Sequence, residues 1–245
     1  MRTAILATAL ALALTVTPTA AASSGCDTGT PGDDSIECTR FEDAHAGDPG
    51  DDLILGKEGN DSLHGGEDHD RVYGMVGLDR LFGDGGNDYL DGGSGADSLS
   101  GGEGQDSLEG STGPDALEGG PGTDTLAGGP DDDQLKGGPG PDILDGSDGA
   151  DRMNGGPGPD ILDGDRDADL IYGGSGADEL SGAAGADQLY PGPRIDSVRA
   201  GGEDDEIYAS DGWRDNIGCG AGEDFVVADA EDRVWPSCEN VEWII

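Results

Sequence analysis

GGSGADSLS (92–100), GGEGQDSLE (101–109) and GGPGPDILD (137–145) are copies of one nine-residue unit. Glycine fills positions 1, 2 and 4, aspartate position 6 and an aliphatic residue position 8. Cut in the same phase, the chain yields twenty successive units from Gly29 to Tyr208, and position 6 is aspartate in every one. Position 8 is apolar in nineteen of the twenty, the exception being His45. The two weakest units, CTRFEDAHA (38–46) and PGPRIDSVR (191–199), still keep Asp43 and Asp196. After one inserted residue, SDGWRDNIG (210–218) and CGAGEDFVV (219–227) restore the phase with Asp215 and Asp224.

Glycine takes positive φ without steric cost, so positions 1–6 can turn sharply. In such a turn main-chain carbonyls converge on a cation and the position-6 carboxylate completes the shell. Calcium suits a mixed site of this kind, because it takes roughly 6–8 hard oxygen ligands in irregular geometry. The candidate ligands are Asp34, Asp52, Asp61, Asp70, Asp79, Asp88, Asp97, Asp106, Asp115, Asp124, Asp133, Asp142, Asp151, Asp160, Asp169, Asp178, Asp187 and Asp205. Asp43 and Asp196, in the weakest units, stand outside this set.

Positions 7–9, such as Ser98-Leu99-Ser100, have room only for a brief strand whose alternation turns position 8 inward. One unit cannot close a coil, but two can, as strand-turn-strand-turn. The expected fold is all-β, a parallel β-roll solenoid of about ten coils for the twenty units, stacked at roughly 4.8 Å. Odd units line one edge and even units the other. Each ion is then expected between unit n and unit n+2, at Asp97 with Asp115, or Asp106 with Asp124.

The formal net charge is -42, with two lysines and ten arginines, so nucleic acid and anionic membrane surfaces are excluded as partners. Strong acidity with few aromatics ordinarily means disorder. A strict period argues otherwise, since a disordered acidic tract has no reason to hold carboxylate and aliphatic in fixed phase. Bare carboxylates about 5 Å apart repel by roughly 0.8 kcal/mol even at the dielectric of water. The metal-free array is therefore expected to be largely unfolded, with ion binding supplying the folding free energy. The eighteen n/n+2 pairs could take up about +36 of charge, close to the acidity present.

GGSGADSLS and GGPGPDILD match every fixed position of G-G-x-G-x-D-x-U-x, and the chain resembles the RTX, or haemolysin-type calcium-binding, repeat family over about three-quarters of its length. The resemblance implies a parallel β-roll that holds calcium in its turns through aspartate and main-chain oxygens and folds on secretion into a calcium-rich medium. CGAGEDFVVAD with Cys238-Glu239-Asn240-Val241 also resembles the ends of short secreted actinobacterial members. Many relatives join the repeats to a protease, lipase or toxin domain and leave through a C-terminal signal. Here an N-terminal signal is expected and no effector domain.

Residues 1–22 read as that export signal: an early Arg2, an apolar run from Ala4 to Val16, then Ala20-Ala21-Ala22 as a small-x-small cleavage site. The run is too short to span a bilayer. A lead-in (23–28), the repeats (29–208) and a terminal segment of degenerate repeats and cap (209–245) complete the chain, and the protein is expected outside the cell. Cys26, Cys38, Cys219 and Cys238 sit outside the regular pattern, and pairing within each end is the economical connectivity. Trp213, Trp235 and Trp243 all lie in the last segment, which is expected to cap the raw end of the core.

Other chemistry finds little footing. His64 and His69 flank a turn with Glu67 and Asp68, where zinc could be imagined, but they read as ordinary turn residues. No Ser/His/Asp grouping, P-loop or dinucleotide fingerprint stands outside the repeat phase. The expected function is a secreted calcium-binding structural or interaction module without catalysis. The alternatives are a calcium-dependent adhesin or coat component contacting cell wall or glycan, and, more remotely, an enzyme working on the roll surface. The extracellular protein or glycan partner is not specified by the sequence.

Overall fold

The computed structural model describes Cys26 and residues 29–244. The expected export signal and the rest of the lead-in lie outside the described residues. Inward and outward places alternate along each unit: Asp97 in, Ser98 out, Leu99 in, Ser100 out, and then Gly101 of the next unit in. Three successive inward places at positions 6, 8 and 1 thus hold a carboxylate, an aliphatic and a glycine.

Many strands are longer than the three residues expected, because pairing crosses the unit boundary. Ser98–Glu103 is six residues long. Its partner Arg80–Gly85 lies parallel and in register from Arg80↔Ser98 to Gly85↔Glu103. Gly101 permits this, since an inward place with no side chain leaves the backbone free to continue the ladder. Other strands, such as Ala116–Glu118, stop after three.

Alternate units feed alternate sheets. One sheet has twelve strands, beginning with Ser35–Glu37 and ending with Arg233–Val234; the other has thirteen, beginning with Ala44–His45 and ending with Asn240–Ile244. Leu81 sits beside Leu99 and Leu99 beside Leu117, so an eighteen-residue step repeats down each sheet. The result is an all-β parallel solenoid of about twelve coils, two more than the twenty units supply. The tail adds them: Asn216–Ala221, Phe225–Asp229, Arg233–Val234 and Asn240–Ile244 extend both sheets. The inserted residue near 209 is absorbed in the turn, and Val198 still pairs with Ile217.

Position 8 forms the core, one row from each sheet, from Ile36 through Leu99 and Leu162 to Val226, with His45 buried among them. Burial lowers the His45 pKa and so favours the neutral ring. Two disulfides, Cys26–Cys38 and Cys219–Cys238, tie the two ends. Cys38 and Cys219 occupy position 1, where most other units carry glycine, and both are buried. The C-terminal cap is made of this disulfide and the added coils, while Trp213, Trp235 and Trp243 remain 44%, 58% and 50% exposed. No helix among the described residues is long and apolar enough to cross a membrane.

Candidate metal centre

The in-phase aspartates form two ladders, one along each edge. The main-chain N–H of Asp97 donates to Asp115 Oδ1 at 2.7 Å, and that of Asp106 to Asp124 Oδ1 at 2.9 Å. The same bond recurs from Asp34 (to Asp52, 2.8 Å) to Asp205 (to Asp224, 3.1 Å). The pairs expected from n/n+2 spacing are therefore neighbours. From Asp52 to Asp224 every in-phase aspartate is buried, and its second oxygen, Oδ2, has no hydrogen-bond partner. A buried carboxylate oxygen without a partner is costly, and here the cost recurs at every turn.

The position-1 glycines show what faces these oxygens. A Cβ added to Gly56 would stand 2.7 Å from Asp61 Oδ2 and 2.7 Å from the Gly74 carbonyl oxygen one coil on. At Gly155 the corresponding distances are 2.5 Å to Asp160 Oδ2 and 2.6 Å to the Gly173 carbonyl. At these glycines the partnerless carboxylate oxygen and a main-chain carbonyl thus flank one small volume, which a side chain would enter. Positive φ also recurs at positions 2 and 4, as at Gly93 (φ 97) and Gly95 (φ 139). Where glycine is missing from these positions the conformation persists, at Met75 (φ 78) and Asp131 (φ 91) for example.

Electrostatics favour the same reading. Burial first, and neighbouring carboxylates after it, raise Asp88 to about 7 and Asp169 to about 8, against the pull of the N–H bond that each accepts. Asp70, Asp124 and Asp187 rise to about 6 for the same leading reason. Oxygen atoms brought together at such cost match a hard divalent cation such as calcium, which takes carboxylate and carbonyl ligands together.

The expected ligand set is not uniform in its surroundings. Asp34, at the N-terminal end, is half-buried, and its Oδ2 accepts from Thr30 N at 2.5 Å and Thr30 Oγ1 at 2.9 Å. The remaining seventeen members, Asp52 to Asp205, share the buried environment just described. So do Asp196, Asp215 and Asp224, which stood outside that set. Asp43 is also buried with a partnerless oxygen, Oδ1, while Thr39 holds its Oδ2. These four share the phase of the seventeen and resemble them in burial.

A second ladder was not legible in the sequence. Side chains at position 5 accept the position-5 N–H of the following coil: Asp51 from His69 (3.0 Å), His69 Nδ1 from Asn87 (2.8 Å), Asn87 from Gln105 (2.9 Å). His69 is thereby engaged in a turn. His64 stacks on Phe82 with centroids 4.3 Å apart and meets Asp84 at 2.9 Å. The two histidines share no metal-sized cluster among the described residues.

The sequence model of the RTX calcium-binding nonapeptide repeat (4 copies) matches residues 46–81, 64–99, 73–108, 100–135, 128–162, 154–189 and 190–213, an unbroken run from 46 to 213. A search of curated proteins gave no match.

Proposed function

Because this chain belongs to the RTX calcium-binding nonapeptide repeat family, we propose that it is a secreted structural or interaction module whose coils fold when calcium enters the turns. The repeats bind calcium, and the acidic, glycine-rich turns are built for it. The observation that carries the reading is the partnerless Oδ2 repeated from Asp52 to Asp224, with a main-chain carbonyl oxygen close by at turns such as those of Gly56 and Gly155. Asp52 to Asp205, with Asp196, Asp215 and Asp224, are the residues that would hold the ions. What calcium supplies there is neutralisation of buried charge.

Secretion is supported by the signal-like segment 1–22 and by two disulfides, which persist in oxidising compartments. A role without catalysis fits a chain whose interior is filled by aliphatic rows from the two sheets, flanked by buried carboxylates. Far-UV circular dichroism during a calcium titration of the metal-free protein tests the folding step. A β signal that grows with calcium is expected; the same signal without calcium would overturn the proposal.

One observation favours a second reading, as a surface-binding protein. Tyr172, Tyr190 and Tyr208 stack in an outward column with centroids 4.8 Å apart at each step, and Phe225 meets Tyr208 edge-on. Such a stripe suits contact with a glycan or a wall polymer. Glycan binding screened with and without calcium separates the two readings.

A further inference from the structure

The turn at 210–215 differs from all others in one respect. Asp211 stands at position 2, as do Asp48, Asp84 and Asp165 in other units, but among the described residues only here does a position-2 carboxylate join two ladder aspartates in one cluster. One oxygen each from Asp196, Asp211 and Asp215 lie within 4.8 Å of one another, the only such group of three carboxylates among the described residues. Asp196 and Asp215 are 1% and 0% exposed, and each keeps an Oδ2 with no hydrogen-bond partner. Asp211 Oδ1 accepts from Trp213 N at 2.8 Å, so the side chain is folded back over its own turn.

Two neighbouring carboxylates and one arginine are already engaged. Asp229 accepts from Gly212 N and Glu231 N, and Asp232 from Asp215 N and Asp229 N. Arg194, from the neighbouring turn on the same edge, lies over the Trp213 ring with its guanidinium carbon 5.5 Å from the centroid. Its charge is directed onto an aromatic face, a favourable arrangement in its own right.

We propose that Asp196, Asp211 and Asp215 form a three-carboxylate cation site, distinct from the two-carboxylate steps of the array. It takes calcium, or a lanthanide in its place, more tightly than they do. Affinity at oxygen sites rises with the number of charged ligands. This proposal rests on the reading that the ladder holds cations and adds to it a ligand and an order of filling. The slip near 209 is the structural cause, because the inserted residue re-forms the turn and leaves Asp211 beside Asp196.

Trp213 makes the site separately visible, since its amide bonds to Asp211 and its indole can sensitise terbium emission. Terbium added to the full-length protein should light up through tryptophan at the lowest occupancy. Trp213→Phe should remove that emission while total calcium uptake, measured by calorimetry, stays the same. Asp211→Asn should move the emission midpoint to about tenfold higher terbium. Asp163→Asn, an exposed outward residue on another coil, should leave it in place. Circular dichroism in saturating calcium verifies that each variant folds. An unmoved midpoint in the folded Asp211→Asn protein, or emission that survives Trp213→Phe, would overturn this proposal and leave the array reading intact. A wild-type protein that takes up no calcium would overturn both.

Discussion

Asp124 is bound at one oxygen and bare at the other: Oδ1 accepts the main-chain N–H of Asp106 at 2.9 Å, and Oδ2, equally buried, accepts nothing. The first bond fixes the stacking of two coils. The second oxygen carries a charge that the protein does not neutralise by itself.

Asp124→Asn should consequently act with opposite sign in the two forms. It keeps an Oδ1 acceptor and removes the buried charge, so the metal-free protein should gain stability. In saturating calcium a ligand is lost, and stability should fall by roughly 1–3 kcal/mol. Thermal or urea melts with and without calcium check the reversal.

Acid should favour the metal-free fold. Burial raises Asp124 to about 6, Asp88 to about 7 and Asp169 to about 8 in the folded chain, against about 3.9 when unfolded. A pKa raised by folding gives stability that is full below the unfolded value and lost as pH rises through the folded one. The metal-free β signal should therefore be larger near pH 5 than near pH 8. Calcium should show the reverse trend, needing higher concentrations at the lower pH because protons occupy its ligands. Dichroism across that window, with and without calcium, measures both.

Gly92→Ala should abolish one ion site without changing the charge. Its Cβ would stand 2.6 Å from Asp97 Oδ2 and 3.0 Å from the Gly110 carbonyl, in the space where the oxygens converge. Gly85→Ala is the control, because its Cβ meets nothing nearer than Glu67 Oε2 at 3.8 Å. Calorimetric stoichiometry should drop by about one ion in the first variant and stay constant in the second.

Replacing Cys219 and Cys238 with serine should cost roughly 3 kcal/mol in the chain-entropy model. The loss should be local, since each coil touches only its neighbours. Hydrogen exchange should quicken first in Asn216–Ala221 and Phe225–Asp229 and leave Ser98–Glu103 protected.

The coil was legible because it depends on two periodicities that sequence displays directly: nine residues for the unit and two for the strand. Leu99 turns inward, Ser98 and Ser100 outward, as alternation requires. The ladder pairs Asp97–Asp115 and Asp106–Asp124 followed from closing a coil with two units. What sequence did not show is local to single side chains. Thr30 satisfying Asp34, His69 receiving the Asn87 amide and Asp211 folding towards Asp196 all depend on which side chain meets which across a turn. Strand length was underestimated because Gly101 reads as a turn residue, whereas its missing side chain is what lets the ladder run on.

The assignment of alternate units to alternate sheets governs how such a chain can change length. Loss or gain of eighteen residues removes or adds a whole coil and returns every downstream strand to its own sheet. A change of nine preserves each pairing rule yet turns everything downstream half a revolution about the axis. Tyr172, Tyr190 and Tyr208, now on the sheet that carries His64 and Phe82, would then stand on the opposite one. Single-unit duplications therefore re-deal the outer surface between its two faces while the core stays as it was, and only even steps keep a face in line.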